Sequence, residues 1–236
     1  MKNLFLFLFL LVVFTSKAQD NRVSGLNSRQ FTKYWKVESE SPDYKVTFQG
    51  DTAEIVSPKG LTLWRKEKMS GKVTIEYDAC VVVESDGDRL SDLNCFWMAS
   101  DPQYPDNLWK REKWRSGIFL NCYSLQLYYL GYGGNHNSTT RFRRYDGDES
   151  GITNPKARPA ILKEYTDAGH LLKPNHWYHI KITNENNRVS YYIDGERLVD
   201  FRDAEPLREG WFGFRTTLSR TRITNFSYEC PSQEVA

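Results

Sequence analysis

The densest group of side chains able to do chemistry lies between positions 126 and 145. Gln126 and Tyr128 fall on one face of a strand-like run, and Leu125, Leu127 and Tyr129 fall on the other. A glycine-rich turn at 131–134 leads into Asn135, His136 and Asn137. Thr139, Arg141, Arg143 and Tyr145 then share one face of the next run, with Phe142 as the apolar member of the opposite face. Two guanidinium forks beside tyrosines and near a histidine suit the carboxylate of an anionic sugar, because such forks pair with carboxylates through two parallel hydrogen bonds. Basic residues dominate this region: between positions 109 and 145 they are Lys110, Arg111, Lys113, Arg115, Arg141, Arg143 and Arg144, against the single acid Glu112.

The reaction that needs this set is β-elimination from a uronic acid. The proton next to the carboxylate is too weak an acid to leave unaided, so one group must neutralise the carboxylate and another must take the proton. Arg141 or Arg143, with Asn135 or Asn137, would neutralise. His136 or a deprotonated tyrosine would be the base, and Tyr128 or Tyr145 the acid to the leaving oxygen. Catalysis is therefore assigned to His136, Tyr128, Tyr145 and Arg141. Binding is assigned to Arg143, Asn135, Asn137, Gln126, Trp97, Trp109 and Trp114, with Tyr132 a further ring able to stack on sugars. Tyr128, Arg141, Arg143 and Tyr145 are expected on one concave sheet face. His136 is expected at its rim, Trp109 or Trp114 closing over it, Phe142 in the core and Arg144 in solvent at the strand end. The competing account of the same residues is a solvated face of cross-strand ion pairs with a plain loop histidine. A hydrolase would need two facing carboxylates; Glu76 and Asp78 share a strand face, but that spacing also describes a solvent-facing strand.

The elements that must hold these residues are strands. In 72–83, Val73, Ile75, Tyr77 and Ala79 alternate with Thr74, Glu76 and Asp78, the period-2 pattern of a half-buried strand. Further runs are expected at 44–48, 53–56, 61–64, 95–99, 117–121, 125–130, 139–145, 177–183, 189–193, 197–201, 211–217 and 222–228. Turns are expected at 184–187 and at Asp194-Gly195. No segment keeps a helical period beyond two turns. A dozen short strands separated by turns predict an all-β sandwich or barrel in one domain. The predicted core is Val73, Ile75, Tyr77, Phe119, Leu125, Leu127, Trp177, Ile180, Ile182, Tyr192, Phe212 and Phe214. Two irregular stretches, 100–116 and 146–175, are too long for simple connections and are expected to be functional or covering.

Three strings carry a family resemblance. Residues 176–182 (HWYHIKI), 189–195 (VSYYIDG) and 210–215 (GWFGFR) resemble the closing strands of concanavalin A-like jelly rolls, with 223–228 similar to their last strand. Similar pieces occur in 3-keto-disaccharide hydrolase domains. Residues 94–102 (NCFWMASDP) resemble the small YesU-like jelly rolls found beside pectin-degradation genes. Together with 133–145 they are similar to a family of exported proteins from polysaccharide-degrading bacteria. The resemblance implies a single concanavalin A-like jelly-roll β-sandwich that acts on or binds carbohydrate. It leaves the chemistry open, since that superfamily holds lectins, hydrolases and lyases. The function expected is an exported protein acting on an acidic, uronate-containing polysaccharide, most simply a lyase. A non-catalytic glycan-binding module, or a glycoside hydrolase related to the 3-keto-disaccharide hydrolases, is the alternative.

The remaining features bound that expectation. The chain has 236 residues, with 32 basic and 30 acidic side chains and 14 % aromatics, which excludes disorder and gives no basic excess for nucleic acid. Residues 1–18 read as a secretory signal peptide: Lys2, an apolar run over 4–14, then Ser16 and Ala18 at the exit. The mature chain, 19–236, would be one jelly-roll domain without a membrane span, periplasmic or extracellular. Cys80, Cys95, Cys122 and Cys230 allow two disulfides or four buried thiols, and no Cys-x-x-Cys spacing marks a zinc site. No cofactor or metal is expected. Structural calcium is an option at the acidic loops Glu84, Asp86, Asp88 and Asp92, or Asp146, Asp148 and Glu149, although neither matches a full calcium loop.

Overall fold

Period-2 alternation organises nearly the whole chain into antiparallel strands. In the computed structural model, which describes residues 22–230, these are β1 (Arg22–Ser24), β2 (Trp35–Ser39), β3 (Lys45–Gln49), β4 (Thr52–Ser57), β5 (Leu61–Arg65), β6 (Met69–Ser70), β7 (Val73–Val81) and β8 (Leu93–Ser100). There follow β9 (Gln126–Gly133), β10 (Thr139–Asp146), β11 (Lys163–Tyr165), β12 (Tyr178–Glu185), β13 (Arg188–Ile193), β14 (Glu196–Arg202), β15 (Glu209–Thr216) and β16 (Ser219–Glu229). The first sheet runs β14-β13-β12-β7-β16-β4-β3, with β1 also on β16. The second runs β11-β10-β9-β8-β15-β5-β2, with β6 also on β15. The proposed leader, residues 1–18, lies outside the described residues. Among those residues no helix is long and apolar enough to cross a membrane.

The inward faces of both sheets make one core. Ile75 and Tyr77 of β7, Ile180 and Ile182 of β12, Trp97 of β8, Tyr128 and Leu130 of β9, Phe142 of β10 and Phe212 and Phe214 of β15 are all buried in it. The second sheet also carries apolar residues on its outward face. Trp64, Phe96, Leu127, Tyr129, Tyr145 and Trp211 form a second cluster with Leu108, Cys122 and Tyr123 from the segment that lies over them. This sheet is thus covered on both sides over part of its area, which is why its strands show runs of apolar residues rather than clean alternation.

Several expectations change in detail. The strand expected at 117–121 is instead a 3₁₀ segment, Phe119–Ser124. Ser116 and Gly117 both take positive φ (45° and 69°), and the turn drives the chain across the sheet. Gly117 sits so close to β2 that an added Cβ would lie 2.7 Å from the Glu40 nitrogen. Trp177 lies just before β12 and is 42 % exposed, because the inward parity belongs to Tyr178, Ile180 and Ile182. Tyr191, opposite Ile182 of β12, shares the inward parity of Val189 and Ile193, which leaves Tyr192 half-buried on the other face, and Phe119 is half-buried too. β2, with Trp35 buried, was not anticipated.

The expected turns are present. Glu185 pairs with Arg188 across Asn186-Asn187, where Asn186 takes φ 55°, and Ile193 pairs with Glu196 across Asp194-Gly195 (φ 50° and 84°), a positive-φ pair that suits a tight hairpin. All four cysteines are free thiols. Cys95 and Cys122 are fully buried, and burial pushes their thiols up to about 12 and about 11. Among the described residues no group of three or more metal-ligating side chains gathers. The acidic loops employ their carboxylates locally: Asp88 accepts from the backbone of Glu84 and Ser85, and Asp148 from that of Ser150.

Candidate functional site

The second sheet's outward face is only partly covered, and the uncovered part is a groove of about 640 Å³. One continuous register row crosses its floor: Arg141 of β10 opposite Gly131 of β9, Gly131 opposite Asn94 of β8, and Asn94 opposite Arg215 of β15. Phe119, Leu120 and Tyr123 of the 3₁₀ segment form one wall, and Pro155, Arg158, Pro159 and Ala160 of the 146–175 stretch form another. Gly131 is required here. A Cβ at that position would stand 2.3 Å from the Tyr129 hydroxyl, so only glycine lets the Tyr129 ring lie along the floor.

Five arginines line this groove: Arg89, Arg141, Arg143, Arg158 and Arg215. Arg141 donates through Nε to Glu164 of β11 at 2.5 Å, and Arg89 is ion-paired with Asp92. The other three make no ion pair among the described residues. Arg143 donates to the Pro159 carbonyl and Arg158 to the Gly151 carbonyl at 3.3 Å. Arg215, only 3 % exposed, donates to the Gly117 carbonyl at 2.6 Å and to Thr62 at 3.3 Å. The groove's acids are Glu40, which accepts from the Gly60 nitrogen at 3.3 Å, and Asp92, which Ser91 and Asn94 also hold.

At one end stands the turn joining β9 to β10. Asn135, His136 and Asn137 all have positive φ (51°, 58° and 56°), a run of left-handed residues that costs conformational energy and presents the exposed His136 ring to the groove. Asn135 lines the groove and donates to Thr139 at 3.2 Å. Asn137 does not. Its amide clamps the backbone of Leu172, accepting from the nitrogen at 2.8 Å and donating to the oxygen at 2.9 Å.

The structure therefore brings Arg141, Arg143, Asn135 and His136 together and separates the other assigned residues from them. Tyr128 faces the opposite way. It pairs with Arg144, which puts it on the Phe142 side, fully buried, with its hydroxyl donating to Asp203 at 2.7 Å and accepting from the Leu207 nitrogen at 3.1 Å. Tyr145 is on the arginine face but lies beneath the 3₁₀ segment, its ring 5.2 Å from that of Tyr123, and burial raises its phenol well above the ordinary value. Arg144 reaches solvent only in part, with its side chain 17 % exposed, and it folds back onto Asp203 at 2.8 Å.

Trp97 is a core residue between Phe142 and Tyr191. Trp109 packs on Trp211 at 6.1 Å, Trp114 is exposed under the Arg111 guanidinium, and Gln126 sits at the far end of β9 opposite Ser100 and Asp146. Neither tryptophan closes the groove; Phe119 and Tyr123 take that place. Glu76 and Asp78 are on the other sheet, Glu76 paired with Lys181 and Asp78 in hydrogen-bond contact with the His179 ring at 2.7 Å.

Residues the sequence reading did not assign complete the site: Arg89, Arg158, Arg215, Phe119, Tyr123 and Tyr129. Burial raises the phenols of Tyr123 and Tyr129, with nearby arginines pulling the other way without prevailing, so both hold their protons. The wall that carries Phe119 and Tyr123 is anchored from behind. Arg115, fully buried, donates to Glu38 at 3.0 Å and to the Leu108 carbonyl at 2.7 Å, while Arg111 makes a two-pronged contact with buried Asp101 at 2.7 and 3.0 Å.

The fold is shared with solved proteins of low sequence identity. A protein of unknown function with a galectin-like fold from Bacillus subtilis superposes with a TM-score of 0.69 at 16 % identity, over 88 % of this chain and 94 % of that one. The carbohydrate binding module CBM66 from Bacillus subtilis gives 0.55 at 16 %, over 83 % and 94 %. A native glycosidic hydrolase gives 0.56 at 9 %, over 92 % and 98 %. These likenesses establish the galectin-like, concanavalin A-like jelly roll. No curated protein matches the sequence. Residues 55–226 match the family described as a domain of unknown function, DUF6250, and the chain belongs to that family.

Proposed function

We propose that the groove binds an acidic, uronate-containing glycan and that His136 and the neighbouring arginines cleave it by β-elimination. The observation that carries the reading is that Arg143, Arg158 and Arg215 line one groove with no carboxylate paired to them among the described residues. Arginines that line a groove without an ion-pair partner favour an anionic ligand, and a carboxylate fits their forks. Carbohydrate-binding and carbohydrate-cleaving proteins of the same fold support a sugar as its carrier.

In the elimination, Arg143, with Arg141 beside it on the same strand face, neutralises the uronate carboxylate and so makes the adjacent C5 proton more acidic. His136 takes that proton. The C5–H electrons become the C4–C5 double bond, the C4–O bond breaks, and the leaving oxygen gains a proton from a tyrosine hydroxyl or water. Tyr123 and Tyr129 suit the donor role rather than the base role, since burial keeps them protonated. Export by the 1–18 leader belongs to the same reading, because such a polysaccharide is met outside the cytoplasm.

Binding without cleavage is the second reading. It is favoured by the exposure of His136, which no carboxylate orients among the described residues. Purified protein incubated with uronate polysaccharides separates the two. Ultraviolet absorbance of unsaturated uronides, appearing with new reducing ends, supports elimination. Binding with neither product supports the module, and reducing ends alone would overturn elimination in favour of hydrolysis.

A further inference from the structure

We propose that Arg215 is a second anion anchor of the groove, so that its ligand is an oligosaccharide carrying uronates on two separate residues, one held at Arg143 and one at Arg215. This rests on the reading of the groove as an acidic-glycan site and adds the ligand's minimum length and charge spacing. Arg215 and Arg141 occupy the same register row, with Gly131 and Asn94 between them. Three strand spacings separate them, roughly 14 Å at about 4.8 Å each. Arg143 stands two residues along β10 from Arg141, on the same face. A single monosaccharide carboxylate cannot touch both ends of such a row, whereas a chain laid across the strands can.

The chemistry of Arg215 points to an anion. It is only 3 % exposed, and it lines the groove floor. Nη1 is engaged with Gly117 and Thr62, and the guanidinium packs on the Phe119 ring at 5.5 Å. Nε and Nη2 make no hydrogen bond among the described residues. A buried guanidinium loses much of its hydration and regains it only from a paired partner. The nearest acids have other duties. Glu38 is bonded to Arg115 behind Gly117 and feels the Arg215 charge without pairing with it, Glu40 accepts from Gly60, and Asp92 is held by Arg89, Ser91 and Asn94. Between the anchors the floor is low, because Gly131 has no side chain, and Asn94 adds a polar group where sugar hydroxyls would pass.

Calorimetric titration of the whole protein with oligogalacturonides of one to five residues tests this. Wild type should gain affinity when the chain grows long enough to span both anchors. Arg215→Gln should remove that gain, about tenfold or more, the scale of one charge-assisted contact, and leave the shortest binders unchanged. Arg215 also holds Gly117 and Thr62, so Thr217→Asp provides the same test without removing a buried side chain. It places a carboxylate on the groove face two residues from Arg215 and should cancel the same gain. If long oligogalacturonides bind both variants as tightly as wild type, the second anchor is wrong and the groove reading stands. If no oligogalacturonide of any length binds wild type, the groove reading itself falls. Tighter binding of a sulfated, carboxylate-free chain of equal length would overturn the assignment to uronates.

Discussion

Replacing Arg143 should weaken acidic oligosaccharide binding more than any change to the Arg141–Glu164 pair two residues away. Arg143 has no carboxylate partner, so a bound uronate gains its full charge-assisted contact, about 1.5–3 kcal/mol. Arg143→Ala should therefore raise Kd roughly 10- to 150-fold. Arg141 already holds Glu164 at 2.5 Å, with the two side chains 30 % and 36 % exposed. Ion pairs that exposed are worth about 0.2–1 kcal/mol. Removing both partners together takes away a neutral pair and should change affinity by less than about 1 kcal/mol. Glu164→Gln alone leaves the guanidinium uncompensated and should tighten binding by up to about fivefold. Calorimetry with one uronate oligomer across the four proteins gives the ordering, and thermal melting of each separates a lost contact from a lost fold. An Arg143→Ala affinity within twofold of wild type, or weaker binding by Glu164→Gln, would refute the argument from unpaired charge.

Arg115→Met should cost about 3–5 kcal/mol in urea denaturation, because it strands buried Glu38, whose carboxyl burial already pushes up against the pull of Arg115; a loss under about 1 kcal/mol would count against the anchored wall. Tyr128→Phe should lower stability by about 1–3 kcal/mol through the lost Asp203 and Leu207 contacts and leave glycan affinity unchanged, which a binding loss would contradict. His170 tethers the segment beside β11 through Asp167 at 2.7 Å and Glu196 at 3.1 Å. Burial pulls its pKa down, but those carboxylates more than offset this and leave it above the ordinary 6.5. A raised pKa contributes stability that is present below 6.5 and fades as pH rises through the raised value. The melting-temperature gap between wild type and His170→Gln should be widest in acid and close above that range, and a gap that widens with rising pH would contradict the pairing.

The parts of the site legible in the sequence were those set by one strand's own period. In 139–145, Phe142 is the apolar member of its face, so the outward direction of Arg141 and Arg143 follows from alternation alone. Tyr128 was misplaced because its facing depends on the register between β9 and β10, and Leu127, Tyr128, Tyr129 and Leu130 are apolar on both faces of a sheet covered on both sides. Arg215 sits in the Gly-Trp-Phe-Gly-Phe-Arg string that identifies the fold, about seventy positions from Arg143, and only sheet pairing brings the two to one groove. The tryptophans of 100–116 looked like sugar platforms by type. The second apolar cluster, which local periodicity does not reveal, claims Trp109, while Phe119 and Tyr123 reach the groove through a turn hidden behind the strand-like apolar run of 117–121.

The central claim, that the groove selects its ligand by negative charge, is tested most directly by titrating wild-type protein with one galacturonate oligomer and with the same oligomer after its carboxyl groups are reduced to alcohols. The two ligands share linkage and nearly all of their shape and differ in charge. The acidic oligomer should bind, more weakly as salt is added, and the reduced one should lose at least about tenfold in affinity. Equal affinity for both, insensitive to salt, would contradict the account.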